Sequence, residues 1–380
     1  MNPLDQLSPW PQDFLENLYK KLDIILIWPY NYPHVQADTD VFELLDIPEN
    51  RINDLRTNPY TIFIYNHMFE GYSYKQYNCF KALTDTAIKY NIPLHKMFYF
   101  SGNLLQEDCY KNWQTEHSPN HIINVISWNR FETFSPNWVE MFSFSIDQTV
   151  KQIRNNPNIN HFLSLNRVKR PLRVMSILKT INSKINDKTI ISYDKITTEE
   201  VNVYAHDLGV TVDPLHVEKL VSTSPVTLDR SDFENNWVGH PIPLYQDTLI
   251  SIINETLYDD WDNTSLFYSE KTFRTMFSNH PIMIVGQKGS NTSFPVVGFK
   301  NYDAYFDLSF DTIDNHYNRL TAQINQLENI HERLLSMSPE QKVNWLLDGV
   351  EILNHNQRAI IEYAYTKNSM KKFIDACNQL

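Results

Sequence analysis

The sequence lacks the features that mark several large protein classes. Its 380 residues include only three cysteines and eight glycines. Three widely spaced cysteines argue against a disulfide framework and against a zinc site built from cysteines. No uncharged apolar run reaches the ~18 residues of a membrane-spanning helix, and the first residues show no secretory signal pattern. We therefore expect a soluble, cytoplasmic protein.

Positive charge is also scarce. The chain has 33 basic against 45 acidic residues, a net charge of -12, which argues against a surface-wide grip on a nucleic-acid backbone. A local basic cluster remains compatible with this balance. The abundance of Asn, Ile and Tyr is typical of AT-rich genomes, such as those of phages or low-GC bacteria. With so few glycines, each one is expected to serve a specific backbone role.

What the chain does contain is enough length and apolar content, 42%, for two ordinary domains. Continuous apolar runs alternate with helical patterns, which is typical of α/β folds with doubly wound parallel sheets. The polar segment 155–158 is the predicted boundary. This gives an N-terminal α/β domain over 1–155 and a C-terminal α/β domain with a helical tail over 156–380.

The individual elements follow from the same patterns. Predicted strands are 61–65, 96–100, 122–127, 161–165, 189–193, 248–253 and 282–285. Predicted helices are 14–27, 74–90, 107–113, 142–153, 172–185 and 269–277, with further helices in the last 70 residues. Residues 195–240 show no periodicity that we assign. Because ligands of such sheets bind beyond the carboxyl ends of strands, residues 66–71 and 101–103 are expected at the rim of the first domain's cleft.

A basic loop follows the predicted strand 161–165. It carries four cations within seven residues and leads into a helix, where guanidinium groups and backbone N–H groups can bind phosphate oxygens. The cations are Arg167, Lys169, Arg170 and Arg173. A solvated basic turn is the simpler interpretation, but the position at a strand's carboxyl end favours a binding role.

A second candidate group lies around Glu255, which follows a buried strand, and the helix start at Ser269, Glu270 and Lys271. A carboxylate here can accept hydrogen bonds from ribose hydroxyls, and Lys271 can neutralise a diphosphate. The alternative needs no ligand: Ser269 is an ordinary N-cap and Glu270 a favourable acidic residue in the first turn. Composition alone leaves the two interpretations even.

The same segment carries a family resemblance. Ser269-Glu270-Lys271-Thr272, continuing through 281–286 (Pro-Ile-Met-Ile-Val-Gly), resembles the donor-binding signature of the α-1,3-fucosyltransferases. The stretch 166–173, ending Pro-Leu-Arg, is similar to that family's upstream element. Residues 160–315 also resemble uncharacterised phage-encoded proteins assigned as glycosyltransferases, including a tail that here runs from Gly298 to Asp311.

The resemblance implies a GT-B-like architecture, in which two facing Rossmann-like domains with C-terminal helices bind a nucleotide-sugar, here expected to be a UDP- or GDP-sugar. It implies that Lys271 and Arg173 bind the diphosphate and that Glu270 contacts the ribose, with Gly286 ending the strand that walls the pocket. Arg167, Arg170, Ser269 and Glu255 are added from local charge and position. The family's contacts use no protein-bound metal or further cofactor, and the chain has no Asp-x-Asp triplet.

Glycosyl transfer also needs a base for the acceptor hydroxyl. In the fucosyltransferase-like enzymes this base is a carboxylate of the N-terminal domain, and Glu70 is the best-placed candidate here. His67 is the second candidate, followed by Glu107 and Asp108, which a helix N-terminus would explain without catalysis. An inverting single displacement is the mechanism expected with Glu70 as the base.

The acceptor is left open. A phage origin would place the protein in the host cytoplasm and allow a hydroxymethylated base of the phage DNA, reached by base flipping, and a glycan is equally compatible. A basic rim could serve DNA, with candidates Lys75, Lys81, Lys89 and Lys96. Two non-enzymatic alternatives are a nucleotide-binding module without catalysis and an interaction protein that assembles through its C-terminal helices. The oligomeric state does not follow from the sequence.

Overall fold

Two separate four-stranded parallel sheets organise the protein in a computed structural model, which describes residues 22–27, 35–68, 71–117, 122–128, 145–228, 242–259, 264–362 and 364–379. The strands of the described residues are β1 (Asp23–Ile27), β2 (Thr61–His67), β3 (Met97–Ser101), β4 (Asn124–Ser127), β5 (Phe162–Leu165), β6 (Thr189–Ser192), β7 (Ile250–Asn254) and β8 (Ile282–Val285).

Helices connect and cover these strands. In chain order they are α1 (Val41–Leu44), α2 (Glu49–Thr57), α3 (Cys79–Lys89), α4 (Gln106–His117), α5 (Ile146–Asn155), α6 (Pro171–Ile181), α7 (Thr198–Asp207), α8 (Pro214–Thr223), α9 (Ile242–Gln246), α10 (Glu270–Phe277), α11 (His316–Ser336), α12 (Pro339–Leu347), α13 (Val350–Ile361) and α14 (Ala364–Cys377). None of the helices in the described part of the chain is long and apolar enough to cross a membrane.

The chain divides into two compact units, each containing one sheet. Unit 1 comprises Met1–Phe134, Asp260–Phe267 and Tyr363–Leu380, and unit 2 comprises Ser135–Asp259 and Tyr268–Glu362. Both sheets are parallel and flanked by helices, so the predicted α/β class with Rossmann-like sheets is confirmed.

The sheet of unit 1 has the order β1-β2-β3-β4. Its central strands, β2 and β3, are buried along their whole length, as their mostly apolar sequence predicts. Helix α14 returns to this unit, where Phe373 packs edge-on against Phe98 and Phe100 at centroid distances of 5.3 and 5.2 Å. The last helix of the chain is therefore part of the first unit's core.

The sheet of unit 2 has the order β6-β5-β7-β8. The chain runs outward from β5 to β6 and then returns to the other side of β5 to form β7. The strand order therefore reverses between β5 and β7, and in open α/β sheets ligands bind at the carboxyl ends of strands at such a reversal. The four strands described for unit 1 follow one another in a single direction and contain no reversal.

One local prediction was wrong, and one segment left unassigned contains two helices. Residues 23–27, predicted as the end of a helix, form β1, which pairs with β2 in parallel register. The run Ile-Ile-Leu-Ile favours a strand, and the rest of that predicted helix lies outside the described residues. Residues 195–240 contain α7 and α8. Helix α7 begins with a capping box between Thr197 and Glu200, a sequence signal that could have revealed it.

The boundaries of the two units also differ from those of the predicted domains, 1–155 and 156–380. Helix α5 belongs to unit 2, where Arg154 pairs with Glu340 of α12. Residues 260–267 and α14 belong to unit 1, and Asn103 binds both the carbonyl of Thr264 (2.8 Å) and the N–H of Leu266 (3.0 Å). These are tertiary contacts between distant segments, and no linker composition marks them.

A buried histidine pair joins α11 to the start of β5. Nδ1 of His161 lies 3.0 Å from Nδ1 of His331, and both side chains are almost fully buried. Burial lowers the pKa of His161 to about 3, and the neighbouring His331, Lys342 and Lys188 act in the same direction. Burial also lowers the pKa of His331, against the effect of Asp187. Both imidazoles are therefore neutral at pH 7.

This pair predicts acid sensitivity. Since the folded-state pKa values lie below the unfolded value of about 6.5, the stabilisation is complete above that pH and is lost as the pH falls. His161, with a folded-state pKa of about 3, is expected to cost about 2 kcal/mol of unfolding free energy between pH 7.5 and 5.0, and His331 adds a loss in the same direction. Urea unfolding at the two pH values tests this. His331→Gln is expected to show a clearly smaller loss than the wild type, and an equal loss would contradict the assignment.

Candidate functional site

The strongest site lies in unit 2, where the strand order reverses between β5 and β7. Asn166 follows β5, and Asn254 ends β7. The Asn254 Nδ2 group donates to Oδ1 of Asn166 at 2.9 Å and to Oγ of Ser164 at 3.2 Å. These amides join the carboxyl ends of the two strands. Three features beside them bear on ligand binding: the buried Arg173 guanidinium, the buried Glu255 carboxylate and the start of α6.

Arg173 lies in the first turn of α6, and its side chain is only 4% exposed. Its Nη2 donates to the carbonyl of Asn254 at 2.9 Å, and its Nη1 donates to the carbonyl of Val168. Its Nε has no hydrogen-bond partner among the described residues. Burial lowers the pKa of Arg173, Glu255 opposes this, and Arg170 adds to it. Because arginine stays protonated in proteins, the site holds a buried positive charge.

Glu255 directly follows β7 and is also 4% exposed. Its Oε1 accepts hydrogen bonds from the N–H of Ser269 (3.0 Å) and from Oγ1 of Thr272 (2.6 Å). Its Oε2 has no partner among the described residues. One carboxylate oxygen therefore caps α10, and the other is a buried acceptor that remains unused. Leaving such an atom unsatisfied is unfavourable, and a ligand hydroxyl would satisfy it.

The start of α10 is largely explained by local capping. Oγ of Ser269 accepts the N–H of Lys271 at 3.3 Å, so Ser269 is an N-cap. Nζ of Lys271 lies 2.8 Å from Oε1 of Glu270, and both side chains are mostly buried. Burial raises the pKa of Glu270, but Lys271 and Arg274 outweigh it, so the net pKa is lowered. The charge of Lys271 is thus balanced by an ionised neighbour.

The basic loop divides into tethered and exposed cations. Lys169 forms an ion pair with Glu200 of α7 and also donates to the carbonyl of Lys195 at 3.1 Å. Arg167 and Arg170 are exposed. Arg170 is the N-cap residue of α6, and its side chain makes no hydrogen bond or ion pair with the described residues. Arg170 and Arg173 are therefore the two loop cations best placed beside the strand ends.

Gly286 lies directly against the side chain of Glu255. A Cβ atom at this position would lie 3.2 Å from Cβ of Glu255 and 3.4 Å from the carbonyl of Leu257, so the close approach favours glycine. The carbonyl of Gly286 accepts a hydrogen bond from Nη2 of the fully buried Arg319 at 3.0 Å. Sequence reasoning missed Arg319, which lies on α11 and is separated from Gly286 by more than thirty residues.

The segment from Gly298 to Asp311 supports the turn after β8. The Asp311 carboxylate accepts the N–H groups of Asn291 and Thr292, both at 2.9 Å. The Asn291 side chain in turn pairs with both the N–H and the carbonyl of Ile284, at 2.8 and 2.9 Å. The Asn291 side-chain amide therefore satisfies both backbone polar groups of Ile284 in β8, as a neighbouring strand would. The role of Asp311 is to position this turn.

The candidate catalytic residues belong to unit 1. Glu70 lies outside the described residues. His67 ends β2 and is buried, with Nδ1 3.4 Å from the hydroxyl of Tyr99, and its ring packs edge-on against Tyr65, Tyr72 and Tyr99. Glu107 lies in the first turn of α4, where it accepts the N–H of Ser127 and pairs with Lys372. These contacts account for Glu107 structurally.

The predicted basic rim on unit 1 does not form as proposed. Lys96 is buried, and its Nζ donates to the carbonyls of Leu55 and Asn58, both at 2.7 Å. Lys81 pairs with Asp85, and Lys89 with Asp40 and Glu43. Lys96 therefore does not lie on the surface, and Lys81 and Lys89 are exposed but paired with carboxylates. Lys75 is also exposed.

Comparison with known proteins gives no assignment. No family model matches the chain, and no curated protein matches it. Among the described residues, no group of three or more His, Cys, Asp or Glu side chains is arranged to hold a metal ion. The functional argument therefore depends on the strand ends of unit 2.

Proposed function

We propose that the chain is a glycosyltransferase that takes a sugar from a nucleotide-sugar, with unit 2 as the donor-binding domain of a GT-B arrangement. The single observation that carries the proposal is the pairing of two incompletely satisfied, buried, oppositely charged groups at the strand reversal. Arg173 supplies a buried cation with a free Nε, and Glu255 supplies a carboxylate with a free Oε2. A ligand that carries both phosphates and hydroxyls matches this pair.

In the proposed reaction, the acceptor oxygen attacks the anomeric carbon as the bond to the diphosphate breaks. Arg173 and Arg170 stabilise the negative charge that develops on the leaving diphosphate. A base from unit 1 takes the acceptor's proton, with Glu70 as the first candidate and His67 as the second. A single displacement of this kind inverts the anomeric configuration. The acceptor is a hydroxyl of a glycan or of a modified DNA base.

Activity is tested by incubating the full chain with UDP- and GDP-sugars and measuring free UDP or GDP. We expect slow release without an acceptor, from transfer to water, and faster release with a suitable acceptor. Glu70→Gln is expected to reduce release at least 100-fold while leaving donor binding unchanged. Donor binding with no release under any condition would instead favour a nucleotide-binding module without catalysis.

Glu255→Gln separates ligand binding from helix capping. The glutamine carbonyl can keep the bonds from Ser269 and Thr272, while the unused acceptor becomes an N–H donor. We expect nucleotide-sugar affinity to fall roughly 10- to 100-fold. This factor corresponds to the loss of one hydrogen bond to a charged group, which contributes about 1.5–3 kcal/mol. Calorimetric titration measures the affinity, and thermal melting is the control. Unchanged affinity would mean that Glu255 only caps α10 and does not contact the ligand.

A further inference from the structure

We infer that unit 2 carries a separate anion site, at which Lys188 and Lys342 bind a doubly charged oxyanion such as phosphate. The site lies where β5 and β6 begin, at the amino-terminal edge of the sheet, whereas the candidate site described above lies at the carboxyl ends of β5 and β7. The inference is therefore independent of the proposed function. It depends on four basic side chains that meet at this edge, and on the lack of a described acidic partner for the two lysines.

The parallel pairing of β5 and β6 brings the first of these side chains together. His161 directly precedes β5, and Lys188 directly precedes β6. The N–H of His161 donates to the carbonyl of Lys188 at 2.8 Å. His331, in the last two turns of α11, places its Nδ1 3.0 Å from Nδ1 of His161. The edge of the sheet therefore carries two imidazoles beside a lysine.

The second lysine reaches the same place from α12. Nζ of Lys342 donates to the carbonyl of Pro157 at 3.2 Å, and Nζ of Lys188 donates to the carbonyl of Asn158 at 3.1 Å. The two acceptors are consecutive residues of the turn between α5 and β5. Two ammonium groups are thus held by one short turn, where their like charges repel each other.

Lys342 is the stronger indication of a ligand, because its charge is buried. The residue is only 5% exposed, and its ammonium group makes a single hydrogen bond, to a neutral carbonyl. Burial lowers the pKa of Lys342, and Lys188 lowers it further. Neither lysine forms an ion pair with a described residue. A buried charge without a counter-ion is unfavourable, and an anion would supply the counter-charge.

The histidine beside the lysines has an unused polar atom. His161 is fully buried, and its Nε2 has no hydrogen-bond partner among the described residues. Burial and His331 lower the pKa of His161, and Lys342 and Lys188 act in the same direction. The lysine charges therefore extend to this ring.

The acidic groups of this region act on other partners. The Asp187 carboxylate lies 3.6 Å from Nε2 of His331 and is mostly exposed. Burial lowers the pKa of His331, and three carboxylates oppose this, those of Asp187, Glu332 and Glu328. Glu332 also pairs with Lys184, and Glu328 accepts the N–H of Lys184. The two inferred anion-binding lysines are left with backbone carbonyls.

The charges and the access favour a small oxyanion as the ligand. Two ammonium groups match the double charge of phosphate, and lysine binds phosphate as a point charge. Pro157 and Asn158 are exposed and Lys188 is half-buried, so the site can be reached from solvent. Free phosphate and the phosphate group of a small ester share this chemistry.

Sulfate is the first probe, because it is a tetrahedral dianion whose charge is constant near neutral pH. It is titrated calorimetrically into the full chain, with sodium chloride keeping the ionic strength constant so that general screening does not change. The variants are Lys188→Gln and Lys342→Met. Lys184→Gln is the matched control, since Lys184 is an exposed lysine of the same segment that pairs with Glu332. Thermal melting checks that each variant folds.

We expect Lys188→Gln and Lys342→Met each to weaken sulfate binding roughly 10-fold or more, as the loss of a charge-assisted hydrogen bond predicts. Lys188→Arg should retain most of the affinity, and Lys184→Gln should retain nearly all of it. No sulfate binding by the wild type, unchanged affinity in Lys188→Gln, or equal losses in Lys184→Gln and Lys188→Gln would overturn the inference. If Lys342→Met does not fold, Lys188→Gln and Lys188→Arg decide the result.

Two further measurements separate this site from the strand-end site and identify the source of the anion. Arg173→Met should bind sulfate as the wild type does, and a loss in this variant alone would place the anion at the strand carboxyl ends and overturn the inference. Inorganic phosphate is then compared with glycerol 3-phosphate. Binding of phosphate alone supports a site for the free ion, and equal binding of both supports a site for phosphate esters. Neither result depends on whether a nucleotide-sugar is consumed.

Discussion

Replacing Arg173 with methionine is expected to weaken nucleoside-diphosphate binding at least 10-fold. Methionine fills a similar volume but carries no charge, so the ligand phosphates lose their buried counter-charge. A charge-assisted hydrogen bond contributes about 1.5–3 kcal/mol, and the loss of one or two such bonds corresponds to a factor of roughly 10 to 10,000 in affinity. Calorimetric titration with UDP and GDP measures the change.

The same substitution should also lower stability, because the carbonyls of Val168 and Asn254 lose their donor. We expect about 1–3 kcal/mol of destabilisation, mainly from the Asn254 carbonyl, because Asn254 is buried and Val168 is exposed. Arg170→Gln is the matched control, since that side chain is exposed and should affect binding without affecting the melting temperature. If a folded Arg173→Met protein bound UDP or GDP with wild-type affinity, Arg173 would not be part of the binding site.

The largest expected effect on folding comes from Gly349, the N-cap residue of α13. An added Cβ would lie 2.3 Å from Cζ of Tyr305, a ring whose hydroxyl donates to the carbonyl of Leu346 at 2.7 Å and which packs on Trp345. The buried ring cannot move away without breaking these contacts. Gly349→Ala should therefore destabilise unit 2 by about 3 kcal/mol or more, which thermal and urea unfolding would show.

Gly209→Ala is the matched control for this substitution. Gly209 has a φ of +65°, and nothing lies within 4 Å of a Cβ placed there. It should lose only the ~1 kcal/mol associated with a left-handed backbone. A smaller effect at 349 than at 209 would mean that Tyr305 repacks freely, contrary to the close contacts of its ring with Gly349 and Trp345.

Much of the fold could be predicted because buried parallel strands have a strong sequence signal. The strands β2, β3, β5 and β8 are mostly apolar, and each lies within two residues of its predicted position. The start of the chain was harder, because a short apolar run such as β1 does not distinguish strand from helix. Polar and apolar residues are mixed around helices α7 and α8. Their capping residues are therefore a clearer sequence signal than their hydrophobic periodicity.

The site was partly predictable for a related reason. The rule that ligands bind at strand carboxyl ends selects Arg173 and Glu255 from the sequence alone. The reversal in strand order, which concentrates the site between β5 and β7, appears only when the pairing is known. The interpretation of Lys271 as a phosphate ligand could not be tested from the sequence, because nothing local shows that the Glu255 carboxylate already caps the same helix.

The contributions of Arg319 and Asp311 show the limit of sequence reasoning. Arg319 donates to the carbonyl of Gly286, and Asp311 accepts from the backbone of Asn291 and Thr292. Both act on a turn that precedes them by about twenty to thirty residues. Their importance comes from tertiary packing alone.

The central claim is that unit 2 binds a nucleotide-sugar through its diphosphate, and a thermal-shift panel tests it most directly. UDP-, GDP- and dTDP-sugars would be compared with a CMP-sugar, which has a single phosphate, on the wild type and on Arg173→Met. A ligand that binds only the folded state raises the melting temperature of the protein. We predict stabilisation of the wild type by at least one diphosphate sugar, little by the CMP-sugar, and none of Arg173→Met. No stabilisation by any compound, or equal stabilisation of both proteins, would contradict the account.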